Sequence, residues 1–162
     1  MKLLFSVFII FLTINPPDLA TLRENYPKAL NNRKLTETMY KELSEVTVAS
    51  DGVLIAYQGA ITTLMAKFSK GTKEKKELFK KGVSLIEYAV GKAPENIEVR
   101  LVRLSVQENT PKFLKYQAQI DEDKQFIMDQ YNQVASTSVK KYIKEYVIQS
   151  KVFLEEEKKL FK

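Results

Sequence analysis

Helical spacing of the apolar residues is the feature that most constrains this fold. From Leu35 onward apolar residues recur three or four positions apart, and no stretch shows the strict alternation that a half-buried strand needs. The chain has 162 residues, of which 44% are hydrophobic, and this is enough to bury the core of one domain. The sequence therefore predicts an all-α protein built from stacked antiparallel helical hairpins.

The middle of the chain predicts a helical hairpin. Its first helix runs from an N-cap at Ser50 or Asp51 to a stop at Gly71, and its second runs from an N-cap at Thr72 to near Gly91. Each helix has one apolar face, formed by Leu54, Tyr57, Ile61, Leu64, Met65 and Phe68 in the first and by Phe79, Gly82, Val83, Ile86, Ala89 and Val90 in the second.

Three further helices are predicted in the second half of the chain. One spans about 95–107, and the pair Thr110-Pro111 has the residue types that open a helix, so a fourth is expected to begin there. The segment ASTS at 135–138 separates it from a last, amphipathic helix. The expected apolar positions are Phe113, Tyr116, Ile120, Ile127 and Tyr131 in the fourth helix and Val139, Tyr142, Ile143, Tyr146, Phe153 and Leu154 in the last.

The N-terminal part of the chain predicts export. Lys2 precedes the apolar run LLFSVFIIFLTI at 3–14, which is shorter than the roughly 20 residues that a membrane span needs. The run is typical of a secretory signal peptide, and its alternative is an inner-membrane anchor. We expect a signal peptide over residues 1–20 and a single domain over residues 21–162 in an exported protein.

The signal peptide has an atypical cleavage site. A cut after Ala20 would leave Asp18 at a position where a small residue is preferred.

Between Leu19 and Val46 two shorter helices are expected, and Pro27 must start, kink or end the helix that contains it.

Composition excludes several classes of chemistry. The chain contains no His, no Cys and no Trp, so it has no thiol nucleophile, no disulfide and no Cys or His zinc site. No phosphate-binding loop, nucleophile elbow or catalytic dyad is present either. We therefore predict a protein that is not an enzyme, with no cofactor and no metal site.

One segment resembles a tetratricopeptide repeat. In KKGVSLIEYAVGKAPENIEV, residues Gly82, Ile86, Ala89 and Pro94 occupy the small, large, small and terminal proline positions of that repeat's second helix. The expected helix starts are spaced by about 33, 44 and 42 residues, against the 34 of the standard repeat. The resemblance implies a helical-repeat fold with an irregular period and a role in binding other proteins.

A longer part of the chain resembles small exported proteins of Bacteroidetes. The segments AYQGAITTLMAKF, APENIEVRLVRLSVQ and PKFLKYQAQIDEDKQFI carry this resemblance. It implies a helical-repeat fold and export across the inner membrane of a Gram-negative cell, which would place the protein in the periplasm or outside the cell. It implies no biochemical activity.

A polar stripe on the third predicted helix is the candidate binding site. Arg100, Arg103 and Gln107 fall on one side of the segment VRLVRLSVQ, which is otherwise apolar. Guanidinium groups can clamp the carboxylate of a ligand, but they can also pair with acids of the same chain. Because charge on an apolar helix must be paired or reach water, internal pairing is favoured, with candidate acids Glu87, Asp121, Glu122 and Asp123.

Two charged runs indicate no specific binding site. The acids 121–123 lack the alternating ligands of a calcium loop, so solvated or paired carboxylates are expected. The lysines in KGTKEKKELFKK, namely Lys70, Lys73, Lys75, Lys76, Lys80 and Lys81, predict a solvated helix face that makes at most a weak contact with an anionic membrane surface. Nucleic acid is not an expected partner, because binding sites for it combine such lysines with arginines and stacking aromatics.

These observations favour a protein that acts by binding. We expect an exported, non-catalytic helical protein whose partner is another protein or a peptide. The alternative is a small-ligand carrier or an enzyme with a cavity between its helices.

Overall fold

The computed structural model describes residues 17–161 and is all-helical. Eight α-helices and four short 3-10 turns occur in this part of the chain, and it contains no strand. The prediction of an all-α fold is therefore confirmed. The α-helices are α1 (Leu19–Ala29), α2 (Arg33–Glu42), α3 (Gly52–Phe68), α4 (Thr72–Lys92), α5 (Ile97–Asn109), α6 (Ile120–Gln130), α7 (Thr137–Gln149) and α8 (Glu155–Lys158).

Helix α3 is the centre of the fold. The side chain of Asp51 caps it by accepting a hydrogen bond from the backbone N–H of Val53 at 2.8 Å. Thirteen of its seventeen residues are buried, and it contacts α1, α2, α4 and α5. The sequence predicted one apolar face, but this helix is surrounded on nearly all sides, as expected of a helix that is hydrophobic all round.

Helices α3 and α4 form the predicted hairpin and touch at their backbones. A Cβ atom added to Gly59 would lie 2.7 Å from the carbonyl oxygen of Gly82, and one added to Gly82 would lie 2.6 Å from that of Gly59. Only glycine permits an approach this close. The turn between the helices differs slightly from the prediction. Helix α3 ends at Phe68 with Ser69 as its C-cap, and Gly71 is the N-cap of α4 rather than the stop of α3.

The core has two parts, and α5 lies between them. Val99, Val102 and Val106 join the larger cluster with α1 to α4. Leu101 and Leu104 face the other way and join a cluster with α6, α7 and the C-terminal segment. Because α5 contributes to both clusters, its polar side chains are placed between or beside packed helices.

The prediction that Thr110-Pro111 opens a helix is wrong. Thr110 is instead the C-cap of α5, and its hydroxyl donates to the carbonyl oxygen of Val106 at 2.6 Å. Residues 112–114 form one 3-10 turn, and α6 begins only at Ile120. Phe113, expected on an apolar helix face, is exposed to solvent.

The last predicted helix is also shorter than expected. Helix α7 ends at Gln149, so Phe153 and Leu154 lie beyond it. Phe153 is buried in the second core cluster together with Phe161, whereas Leu154 is exposed. The ring centroids of these two phenylalanines lie 5.8 Å apart in an edge-to-face arrangement, which fixes the C-terminal segment against the domain.

Two shorter helices occur between Leu19 and Val46, as predicted. The side chain of Asp18 caps α1, and Leu19 packs against the core, so the predicted boundary after Ala20 falls inside this helix. Pro27 lies in the last turn of α1. The predicted signal peptide or anchor at 3–14 lies outside the described residues. None of the helices within 17–161 is both long enough and apolar enough to cross a bilayer.

Candidate functional site

Helix α5 carries two separate groups of charged side chains. It begins after Asn96, whose side chain accepts hydrogen bonds from the backbone N–H groups of Glu98 and Val99. Glu98 lies in its first turn and Arg103 in its middle, and both are buried. Burying a charge is costly unless it is paired, so each of these residues requires a partner from another element.

The first group, named here the Arg103 cluster, joins α4, α5 and α6. Arg103 forms a bidentate pair with Asp123, with Nε and Nη2 each 2.7 Å from a carboxylate oxygen. The Nη1 atom of Arg103 donates to Glu87 at 3.1 Å. The cluster consists of Glu87, Arg100, Arg103, Tyr116, Glu122 and Asp123.

Arg100 closes the outer side of this cluster. Its Nη1 atom donates to Glu122 at 2.5 Å and to Asp123 at 3.1 Å, and its Nε atom donates to the carbonyl oxygen of Pro94 at 2.9 Å. The guanidinium carbon also lies 5.0 Å from the centroid of the Phe126 ring, within the range of a cation–π contact. Arg100 therefore meets partners of this chain on several sides.

The ionisation of the Arg103 cluster follows from its burial and its pairing. Burial raises the pKa of the Asp123 carboxyl, and the hydrogen bonds from Arg103 and Arg100 oppose that rise. Burial alone would lower the pKa of Arg103, but the Asp123 carboxylate outweighs it and raises this pKa overall. Burial is the main reason why the pKa of Tyr116 is also raised, and its hydrogen bond to Glu87 adds to the effect.

Gln107, the third residue of the predicted stripe, is fully buried between α5 and α6. Its Nε2 atom donates to the side-chain oxygen of Gln119 at 2.9 Å. Its Oε1 atom meets no donor among residues 17–161.

The structure thus brings Arg100, Arg103 and Gln107 to one interface and pairs both arginines with acids of the same chain. This is the internal pairing that the sequence analysis favoured. Of the three consecutive acids, Asp123 points inward to Arg103 while Asp121 is exposed, as expected for successive positions on a helix.

A groove lies elsewhere, at the N-terminal end of α5. It has a volume of about 560 Å³ and is open to solvent. The starts of four helices contribute to its lining. Leu19 is the first residue of α1, and the other three residues are N-caps, namely Asp51 of α3, Asn96 of α5 and Ser136 of α7. Its apolar lining residues are Leu19, Val53, Ile97, Val134, Ala135 and Val139.

A second ionic group, named here the Glu98 cluster, lies at the base of the groove. Arg23 donates from Nε and Nη2 to the two carboxylate oxygens of Glu98, each at 2.8 Å. The Tyr57 hydroxyl donates to the same carboxylate at 2.9 Å. The Glu98 cluster, formed by Arg23, Tyr57 and Glu98, therefore ties α1, α3 and α5 together beneath the groove.

Buried tyrosines surround the Glu98 cluster. Burial is the main reason why the pKa of Tyr57 lies well above its ordinary value, and the neighbouring Tyr142 and Glu98 add to the effect. Burial also raises the pKa of Tyr142, and it raises that of Tyr26 to about 12. The Tyr26 hydroxyl shares a hydrogen bond of 2.9 Å with Ser105, and its ring packs edge-to-face on Tyr57. These phenols stay neutral and hydrogen-bonded at physiological pH.

The lining of the groove is more acidic than the rest of the chain. Its charged residues are Asp51, Glu95, Glu98 and Arg23, whereas the whole chain has a net charge of +6. Asp51 and Glu95 are exposed at the rim, and Glu98 is satisfied by Arg23 and Tyr57. The groove therefore presents carboxylates at its edge and apolar side chains along its walls.

The sequence analysis did not identify the groove or the Glu98 cluster. Arg100, Arg103 and Gln107 do not line the groove. The sequence around Glu98 could have indicated a buried ion pair. This acid lies between Ile97 and Val99 at the start of an apolar helix, where a carboxylate needs a partner. Its partner Arg23 lies 75 positions away, and nothing in the local sequence connects the two.

No group of three or more acidic, histidine or cysteine side chains within 17–161 is arranged to hold a metal ion.

Comparisons of this chain with protein-family models, with curated proteins and with solved structures find no match.

Proposed function

We propose that this chain is an exported, non-catalytic protein that binds a segment of another protein, or a peptide, in the groove at the N-terminal end of α5. The observation that carries the proposal is the open groove of about 560 Å³ with apolar walls and an acidic rim. A binding site commonly combines apolar walls with a few fixed polar groups, which is the arrangement present here.

The charge of the groove indicates the chemistry of the partner. Asp51 and Glu95 are exposed at the rim, and no lysine of residues 17–161 lines the groove, so a neutral or basic segment is favoured over an acidic one. The bidentate pair of Arg23 and Glu98 fixes the base of the groove, so a partner meets a preformed surface.

A second candidate function is carriage of a small ligand. The groove volume of about 560 Å³ lies within the range of small-molecule pockets. Its openness to solvent favours a peptide segment instead, because carriers enclose most of their ligand's surface. An enzymatic site between helices would lie in this same groove. Among the lining residues within 17–161, the buried carboxylate is that of Glu98, and it is already bonded to Arg23 and Tyr57.

Export is supported by the apolar run at 3–14. We expect a tagged chain to reach the periplasmic or medium fraction with the run at 3–14 removed, and N-terminal sequencing would identify its mature start. Because Asp18 caps α1 and Leu19 lines the groove, we expect the cut to lie ahead of Asp18 rather than after Ala20. An intact Met1 in a washed membrane fraction would instead show that the run is an anchor.

The binding proposal is tested with a library of random peptides. Peptides selected on the protein should be neutral or basic, and Ala135→Trp, which fills the groove from its exposed wall, should weaken their affinity at least about tenfold. Ser84→Trp, at an exposed position of α4 outside the groove, is the matched control and should leave affinity unchanged. Peptides that bind both variants equally, or a library that yields none, would contradict the proposal. Small molecules that bind the wild type and are blocked by Ala135→Trp would favour the carrier.

A further inference from the structure

The segment between α5 and α6 holds an aromatic side chain out in solvent. Phe113 is 78% exposed, the highest value among the exposed large hydrophobic residues of 17–161, and the adjacent Leu114 is also exposed. Single exposed apolar residues are common, but two adjacent ones at the tip of a loop form an apolar protrusion that needs an explanation.

The protrusion is held by a structured turn. The backbone N–H of Leu114 donates to the carbonyl of Pro111 and that of Lys115 to the carbonyl of Lys112, each at 3.0 Å. Lys115 has φ 53°, the only positive φ among the non-glycine residues of 17–161. The side chain of Gln117 donates to the carbonyl oxygen of Thr110 at 2.9 Å and closes the base of the segment. Because the turn is fixed in this way, Phe113 and Leu114 project without rearrangement.

Lysines surround the protrusion. Lys112 and Lys115 flank Phe113 and Leu114 directly, and both are exposed. The Tyr116 ring lies edge-to-face on Phe79 of α4, with the centroids 6.2 Å apart.

This ring contact brings α4 lysines to the same surface. Spacings of three and four place Lys76 and Lys80, both exposed, on the side of α4 that carries Phe79 and Glu87. The carboxylate on that side, Glu87, is already bonded to Tyr116 and Arg103. The surface around Phe113 is therefore basic.

We infer that residues 111–116, named here the Phe113 loop, are a docking surface for an anionic lipid bilayer. Phe113 and Leu114 enter the interfacial layer, while Lys112, Lys115 and the α4 lysines contact lipid phosphate groups. Apolar side chains flanked by lysines are the arrangement that binds such an interface. A protein partner is less suited to this surface, because lysine is depleted at protein–protein interfaces.

Docking through this loop would leave the groove accessible. The loop follows the C-terminal end of α5 and the groove lies at its N-terminal end. Thirteen residues of helix separate them, about 20 Å at the helical rise per residue. The inference does not rest on the proposed function, since it concerns different residues at the opposite end of the helix.

An environment-sensitive fluorophore at residue 113 tests the inference. The chain has no cysteine, so Phe113→Cys gives a single labelling site. Leu154→Cys gives the matched control, because Leu154 is 55% exposed and is followed by glutamates rather than lysines. With vesicles containing phosphatidylglycerol, the probe at 113 should shift to the blue and gain intensity, while the probe at 154 should not. Because both readings are local, they are independent of any binding by residues 3–14.

Charge variants separate lipid docking from its alternatives. In the labelled chain, Lys112→Gln and Lys115→Gln should each weaken the response about fivefold, and raised salt should weaken it further. Ala135→Trp should leave it unchanged, which separates this inference from the groove. A water-like spectrum at 113, an equal response at 154, or an equal response with neutral phosphatidylcholine vesicles would overturn it. A water-like spectrum together with loss of a soluble protein partner in Phe113→Ser would assign the loop to a protein instead.

Discussion

The Arg103 cluster and the Glu98 cluster use the same chemistry on the same helix but differ in their access to water. Each contains a bidentate arginine–carboxylate pair with distances below 3 Å, and each contains a tyrosine that donates to a carboxylate. The Arg103 side chain is 5% exposed and Asp123 is fully buried. Arg23 retains 15% exposure beside the groove.

The difference shows that the type of residue does not decide its role. Arg103 is the residue that sequence patterns single out, and it holds α4, α5 and α6 together. Arg23 lies on the short helix α1, and it lines a groove that is open to solvent. An ion pair becomes available for function where the helices around it leave a path to solvent.

The largest expected effect is alkaline unfolding, which involves the tyrosines near both clusters. The pKa of Tyr26 is raised to about 12 and those of Tyr57, Tyr116 and Tyr142 are raised as well, so the unfolded chain loses these protons first. The stability that these tyrosines contribute is fully present below pH 10 and is lost as the pH rises through their folded pKa values, by about 3 kcal/mol in total for Tyr26 alone. Tyrosinate absorbance at 295 nm should rise together with loss of helical circular dichroism. Titration of all eight tyrosines near pH 10 in a folded chain would contradict this.

Arg103→Ala is expected to cost about 3 kcal/mol, because it leaves Asp123 buried with only Arg100 as an ionic partner. Urea unfolding measures the change. Arg33→Ala is the matched control, since Arg33 forms an exposed pair with Glu37 within one helix and should change stability by less than about 0.5 kcal/mol. Equal losses in the two variants would remove the distinction between buried and surface pairs.

Glu98→Gln is expected to cost about 2 kcal/mol, less than Arg103→Ala, because the unpaired Arg23 can reach water through the groove. Glu95→Gln, an exposed rim residue next to the same helix start, provides the control and should be nearly neutral. The peptides selected on the wild type should also bind Glu98→Gln more weakly, since the base of the groove is no longer fixed. A loss larger than that of Arg103→Ala would reverse the comparison.

Arg100→Ala is expected to have the smallest effect, about 1 kcal/mol. Asp123 keeps its bidentate pair with Arg103 in this variant, and Glu122 is largely exposed, so it can be hydrated. Thermal melts of Arg100→Ala and Arg103→Ala compare the two arginines directly. Wild-type melting of both variants would show that neither pair stabilises the fold.

The sequence was sufficient where local patterns act alone. The α3–α4 hairpin was predicted because apolar periodicity, a capping Asp51 and a short turn all agree. The fourth helix was placed too early because Thr110-Pro111 suits a helix start, whereas Thr110 in fact satisfies the carbonyl of Val106 at the end of α5. Both interpretations fit the local sequence, and only packing distinguishes them.

The candidate site could be predicted only in part for a related reason. The partners of Arg103, Glu87 and Asp123, lie on the helices directly before and after its own, so its pairing followed from the order of the helices along the chain. The groove depends on residues from α1, α3, α5 and α7, which only the completed fold brings together. Phe113 was placed on the apolar face of the fourth helix because its residue type is apolar, but its segment forms a turn that exposes it to solvent.

The backbone contact between Gly59 and Gly82 limits how this sequence can diverge. Most buried positions of α3 accept another apolar side chain of similar volume, so their identities are free to drift. Even a methyl group at either glycine would overlap the backbone of the opposite helix. The feature of this fold that a sequence should keep longest is therefore a pair of glycines 23 positions apart, one in each helix of the hairpin. Distant descendants of the chain should retain that pair after most other identities have been lost.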